Sequence, residues 1–174
     1  MTKKSKSEEK YMTFEDYQNE AVKFRTATAN NEEYLVLGLI EEVGEAAGKL
    51  AKRKRDGVFD KLAFVRELGD ILWFVANYAD YFDREDETNY SLQLRDCFEM
   101  TVNVNYTDEE IMKDLAVDAT GWVEGFDSAG NVIYELACLA KRQGFTLEQV
   151  AEINLAKLRD RAARGKIHGN GDER

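Results

Sequence analysis

Gly38-Leu39-Ile40-Glu41-Glu42-Val43-Gly44-Glu45 and, after 21 intervening residues, Glu67-Leu68-Gly69-Asp70-Ile71-Leu72-Trp73-Phe74 are the stretches on which the fold turns. Apolar residues recur in both at the spacing of an amphipathic helix. Leu35, Leu39, Glu42 and Ala46 step by four, three and four, so Glu42 stands in the apolar stripe, with Glu45 one turn on. Glu67, Asp70, Phe74 and Asn77 form a second stripe beside Leu68, Leu72 and Val75. A lone i,i+3 acidic pair means little in a chain with 34 acidic residues, where most such pairs are solvated helix faces. Here both pairs fall at the seam where two helices pack, and burying unpaired charge is costly. Either the carboxyl pKa values rise until some groups are neutral, or a cation sits among them. A hard divalent ion such as Mg²⁺ takes oxygen ligands and also binds phosphates. Two such pairs on antiparallel helices can present four carboxylates to one point.

Working outward, the 174 residues are one domain's worth and 44% hydrophobic, enough for a real core. The net charge of −10 argues against a nucleic-acid backbone as partner. Proline is absent, and histidine occurs once, at His168, which removes Ser-His-Asp and Cys-His catalysis and the di-iron bundle. Cys97 and Cys138 are too few for a zinc cluster and suit a reducing compartment. Apolar runs such as Ile71 to Ala76 are far short of a membrane span, and no apolar h-region follows the charged start. A cytoplasmic protein is expected, with no membrane partner.

The periodicity predicts an all-α chain. Residues 1–11 read as a disordered leader and 12–174 as a single helical domain. Thr13 with Asp16 resembles a capping box opening a helix to about Ala29. Asn30-Asn31 breaks it, and further helices run over about Glu32–Arg55 and Lys61–Phe82, separated by the turn signal Asp56-Gly57. Ser91 is a possible cap for a short helix, and Met100 to Asn105 alternates enough to admit a small strand. Thr107 with Glu110 caps a helix to about Thr120, another spans about Ala129–Arg142, and Thr146 caps the last, to Arg164. Gly69 to Ala79 is faintly echoed by Gly130 to Ala140. Gly38, Gly44, Gly48 and Gly69 each cost about 1 kcal/mol in a helix interior. Close helix packing and room for a ligand both account for them.

The acidic quartet resembles the signature of the MazG-type nucleoside triphosphate pyrophosphohydrolases: Glu-Glu-x-x-Glu, a variable gap, then Glu-x-x-Asp. The start, Phe14-Glu15-Asp16-Tyr17-Gln18-Asn19-Glu20-Ala21, is similar to that family's first helix. The end agrees, with Leu147 to Ala151, Asn154, Lys157-Leu158, Arg161 and Gly-x-Gly-Asp-x-Arg at Gly169 to Arg174. The likeness covers about Thr13 to Phe82 and Gly144 to Arg174. Asp70 and Gly144 stand 74 residues apart, farther than the family pattern, which marks a mainly helical insertion at about 83–130. Trp122, Phe126 and Cys97 lie in it; a packing satellite, a lid and a base-reading wall are its candidate roles.

The resemblance implies an antiparallel helical bundle that hydrolyses a nucleoside triphosphate between its α- and β-phosphates, giving monophosphate and pyrophosphate. It implies Glu42, Glu45, Glu67 and Asp70 as Mg²⁺ ligands, with Mn²⁺ as a substitute. Glu41 would hold a further ion or accept a proton from the attacking water, the alternative being a plain surface residue. Asn154, Lys157, Arg161 and Arg164 share one helix face and suit phosphate, although a basic helix C-terminus also favours such residues. Lys52 is a lesser phosphate candidate. Gln18, Trp73 and Asn77 are candidates for base recognition, against a reading of Trp73 as core. The family's habit predicts a homo-oligomer, dimer or tetramer. The rival readings are a dUTP- or dCTP-specific diphosphatase on the same bundle and a non-catalytic helical interaction module.

Overall fold

Threonine side chains start three of the helices. Thr13 with Asp16, Thr107 with Glu110 and Thr146 with Gln149 each close a reciprocal capping box. Each box satisfies backbone N–H groups that would otherwise lack a partner at the helix start. The structure, a computed structural model, describes residues 11–124 and 128–166. Residues 1–10 of the expected leader, Phe126, His168 and the Gly169 to Arg174 motif lie outside the described residues.

Among the described residues, seven α-helices follow in chain order: α1 (Phe14–Ala21), α2 (Glu32–Asp56), α3 (Lys61–Glu85), α4 (Tyr90–Leu94), α5 (Asp108–Val123), α6 (Ala129–Arg142) and α7 (Leu147–Ala163). There is no strand among the described residues. Asn31 caps α2 by accepting from Tyr34 N–H, and Gly57, at φ +70°, ends it in the left-handed conformation that glycine adopts freely. Helix α3 is the axis of the molecule. It packs against α1, α2, α4, α6 and α7, and every residue from Glu67 to Ala79 except Asp70 is buried.

Three expectations are corrected. The first helix does not run to Ala29: it stops at Ala21 and gives way to 3₁₀ turns at Val22–Phe24 and Ala27–Ala29. Trp73 Nε1 donates to the Ala21 carbonyl, and Arg25 leaves the helix to pair with Asp80 and the Asn77 carbonyl. The short helix is preceded by Asn89 rather than capped at Ser91; Ser91 N–H instead donates to Asp83. No strand forms at Met100 to Asn105, because the backbone there bonds to α6 side chains. Asn103 N–H donates to the Tyr134 hydroxyl, the Asn103 carbonyl accepts from Cys138, and the Val104 carbonyl accepts from Arg142.

Helices α4 and α5, within residues 83–130, are built into the main core and are not a satellite. Buried residues from all seven helices join one core cluster, to which α5 and α6 contribute Ile111, Leu115, Val132, Ile133 and Leu136. Trp122 is fully buried and meets Tyr78 of α3 and Tyr90 of α4, with ring centroids 4.5 and 5.5 Å apart. Helix α5 also packs along α2, where Asp108 binds Arg53 of α2 and Arg142 of α6.

Candidate metal centre

Helices α2 and α3 lie side by side because their apolar stripes face each other, and two glycines set how closely neighbours approach. A Cβ on Gly38 would sit 2.2 Å from the Phe74 ring. A Cβ on Gly69 would sit 3.0 Å from Cβ of Asn154, so the bare backbone there admits α7. These two glycines serve packing. A Cβ added at Gly44 or Gly48 would meet nothing within 4 Å, and both face outward.

The seam brings Glu42 of α2 together with Glu67 and Asp70 of α3, one oxygen of each lying within 4.8 Å of the others. All three are partly or largely buried. Burial, with Asp70 and Glu45 nearby, pushes the Glu42 carboxyl up to about 8. Burial also raises Asp70, against the opposing pull of Lys157. Glu45 is not in the trio. It is exposed, and it acts on Glu42 through its charge. Glu41 is exposed on a different face of α2.

Helix α7 supplies the polar wall. Asn154, 2% exposed, donates to Asp70 Oδ1 at 3.0 Å and accepts from the Tyr17 hydroxyl at 3.0 Å. Lys157 pairs with the other Asp70 oxygen, Oδ2. Arg161, one turn on, also acts electrostatically on Asp70. Of the expected phosphate group, Lys157 and Arg161 therefore face the cluster. Asn154 is occupied in orienting Asp70, and Arg164 is turned to Asp160 on its own helix.

Gln18 and Asn77, expected to read the base, both make contacts within the bundle. Gln18 donates to the Ala76 carbonyl and to Ser91, fastening α1 to α3 and α4. Asn77 is fully buried and donates to the Trp73 carbonyl. Both contacts lie where α3 is most enclosed. Trp73 is likewise core, edge-on to Phe74.

Two residues of the site escaped the sequence reading. Tyr17 anchors Asn154, and Lys49 of α2 pairs with Glu67 at 2.9 Å. A signal for Lys49 was present: it follows Glu42 by seven residues, two full turns, and so projects from nearly the same angle. Lys52, the lysine expected near the phosphates, is rotated away and exposed.

Three hard oxygen donors converging from two helices, with cations on either side, fit a divalent ion and a phosphate ester. Residues 30–103 match the family model of the MazG nucleotide pyrophosphohydrolase domain, a stretch that contains α2, α3 and all of Glu41, Glu42, Glu45, Glu67 and Asp70. Helices α1 and α7 lie outside that match. The chain is also similar to the gene 37 protein of Mycobacterium phage L5, 40% identical over 55 residues, covering 29% of this chain and 48% of the phage protein. It thus spans about half the length of that curated relative. No solved structure matches the chain. No described helix is long and apolar enough to cross a membrane.

Proposed function

We propose, from the MazG-type domain at residues 30–103 and the carboxylate trio within it, that this chain is a nucleoside triphosphate pyrophosphohydrolase. It cleaves a ribo- or deoxyribonucleoside triphosphate between the α- and β-phosphates, giving monophosphate and pyrophosphate. The observation that carries this reading is the meeting of Glu42, Glu67 and Asp70 beside Lys157 and Arg161.

Glu42, Glu67 and Asp70 would hold Mg²⁺ or Mn²⁺, with Glu45 joining from the solvent side. When bound, the ion supplies charge that polarises phosphoryl oxygens and acidifies a bound water. The chain's own residues do the rest. Tyr17 and Asn154 fix the direction in which Asp70 presents its oxygens. Lys157 and Arg161 bind the triphosphate, the arginine through its planar fork. Glu41, exposed and adjacent in sequence to Glu42, is assigned to accept the proton of the attacking water or to hold a further ion. The active form is a homo-oligomer, a reading supported by Leu37 and Ile40 standing exposed on the outer face of α2 at 67% and 41%. Light scattering at micromolar concentration should give a mass above that of one chain.

The test of the reaction is product analysis. With Mg²⁺ and each common NTP and dNTP, anion-exchange separation should show monophosphate and stoichiometric pyrophosphate with no diphosphate intermediate. Competition among substrates then separates a dUTP- or dCTP-specific enzyme from a broad one. Absence of turnover with every nucleotide, Mn²⁺ included, would overturn the reading.

A further inference from the structure

Each α3 carboxylate of the trio is already held by one ammonium group. Lys157 reaches Asp70 from α7, and Lys49 reaches Glu67 from α2 at 2.9 Å. Lys49 is about two-thirds buried, its side chain 32% exposed, and it also feels the charges of Glu45 and Asp60. An ammonium is a single charge on a flexible four-carbon stem, and the oxygen it occupies is one that a divalent ion would need. An ion that takes this Glu67 oxygen does so in competition with Lys49. The same flexible stem can then carry the freed charge to an anion on the solvent side of the cluster.

We propose that Lys49 is the resident counter-cation of the carboxylate cluster: it holds Glu67 until a divalent ion takes that oxygen, and then turns its ammonium to the triphosphate. This rests on the function proposed above and adds to it a residue that acts in two directions. A lysine that served only as a phosphate ligand would leave the affinity for metal alone untouched. A lysine that served only as a helix-to-helix tie would leave both affinities untouched.

The experiment compares the full-length wild type with Lys49→Met, which keeps most of the stem and removes the charge, and with Lys52→Met as a control on an exposed position of the same helix. Calorimetric titration with Mn²⁺ alone should show Lys49→Met binding about five- to tenfold more tightly, as expected when a like charge leaves a shared site. Lys52→Met should match the wild type. At saturating Mn²⁺, a non-hydrolysable α,β-methylene triphosphate should bind Lys49→Met about fivefold or more weakly. Unchanged or weaker Mn²⁺ binding in Lys49→Met overturns the proposal, as does equal tightening in Lys52→Met or an unchanged triphosphate affinity. A wild type that binds Mn²⁺ but no triphosphate would strike the proposed function, while the Mn²⁺ comparison would still decide whether Lys49 is displaced.

Discussion

Between α2 and α3, Glu42, Glu67 and Asp70 converge within 4.8 Å, with Lys49 and Lys157 reaching in from two helices. Between α5 and α6, Glu135 lies against Asp118 with Asp114 nearby, and the charged groups that act on it are both acidic. Glu135 is 8% exposed, and its Oε2 has no hydrogen-bond partner among the described residues. Burial and the two aspartates push its carboxyl up to about 9, so it is neutral at pH 7 and can donate to Asp118. The two seams answer the same electrostatic problem differently. The first uses the ammonium groups of Lys49 and Lys157, and the second uses a proton. Buried acidity alone does not distinguish a working site. The lysines that reach the first seam set it apart from the second.

The largest effect expected from that contrast is on turnover. Glu67→Gln should lower kcat/KM by about 10³-fold or more, roughly 4 kcal/mol of transition-state stabilisation, as when a group central to charge neutralisation is lost. Glu135→Gln should stay within about threefold of wild type, a difference below 1 kcal/mol. Pyrophosphate release under saturating Mg²⁺ measures both. Equal losses would dissolve the distinction between the seams.

A third arrangement sharpens it further. Asp108, 4% exposed, is held by Arg53, Arg142 and Gln143, and the two arginines keep its carboxyl below the usual range despite burial. Arg53 also binds Glu109 and lies over the Phe59 ring. This network clamps α5 and α6 to α2. Asp108→Ala leaves two guanidinium groups without that partner and should cost about 3 kcal/mol in urea unfolding. The specific activity of the folded fraction should change far less.

The fold was largely readable because caps and apolar stripes are local properties. The three threonine-started helices begin where the sequence places them, and the carboxylates in the α2 and α3 stripes do meet. What was missed depends on partners distant in the chain. The end of α1 is decided by Trp73 and Arg25, and the irregular path at 100–105 by side chains of α6. Gln18 and Asn77 bond to backbone carbonyls of α3, contacts that no spacing rule foresees. Glu135 is a different case. It stands among Val132, Leu136 and Leu139, an acidic residue in an apolar stripe as Glu42 is, and the same rule would have found it.

Acid–base linkage offers a cleaner discriminator between the α5–α6 pair and the Asp108 clamp, because their signs are opposite. The folded pKa of Glu135 lies above its unfolded value, so its contribution is full below about pH 4.5 and is lost as pH rises toward about 9. Asp108 is depressed in the folded state, so its contribution is present at neutral pH and is lost as pH falls through the acid range. Glu135→Gln should therefore remove the Glu135 share of the decline in stability between about pH 5 and 9, at most about 1.4 kcal/mol per pH unit for one proton, and leave the share of Glu42. The acid limb should remain. Unfolding free energies at a series of pH values measure this, and an unchanged alkaline slope in Glu135→Gln would mean that the pair shares no proton.

The smallest effect lies on the outer face of the helix that carries Glu42. Gly44 and Gly48 face open space within one chain, unlike Gly38 and Gly69, whose missing Cβ atoms admit Phe74 and Asn154. In an isolated chain, Gly44→Ala should stabilise by up to about 1 kcal/mol, because alanine is the better helix former and meets nothing. If a second copy packs against this face, as the exposed Leu37 and Ile40 suggest, an added methyl meets that copy, and the gain shrinks or reverses. Thermal unfolding of Gly44→Ala at several protein concentrations separates the two. A concentration-independent gain would take α2 out of any interface, and would leave the carboxylate seam as a site completed within one chain.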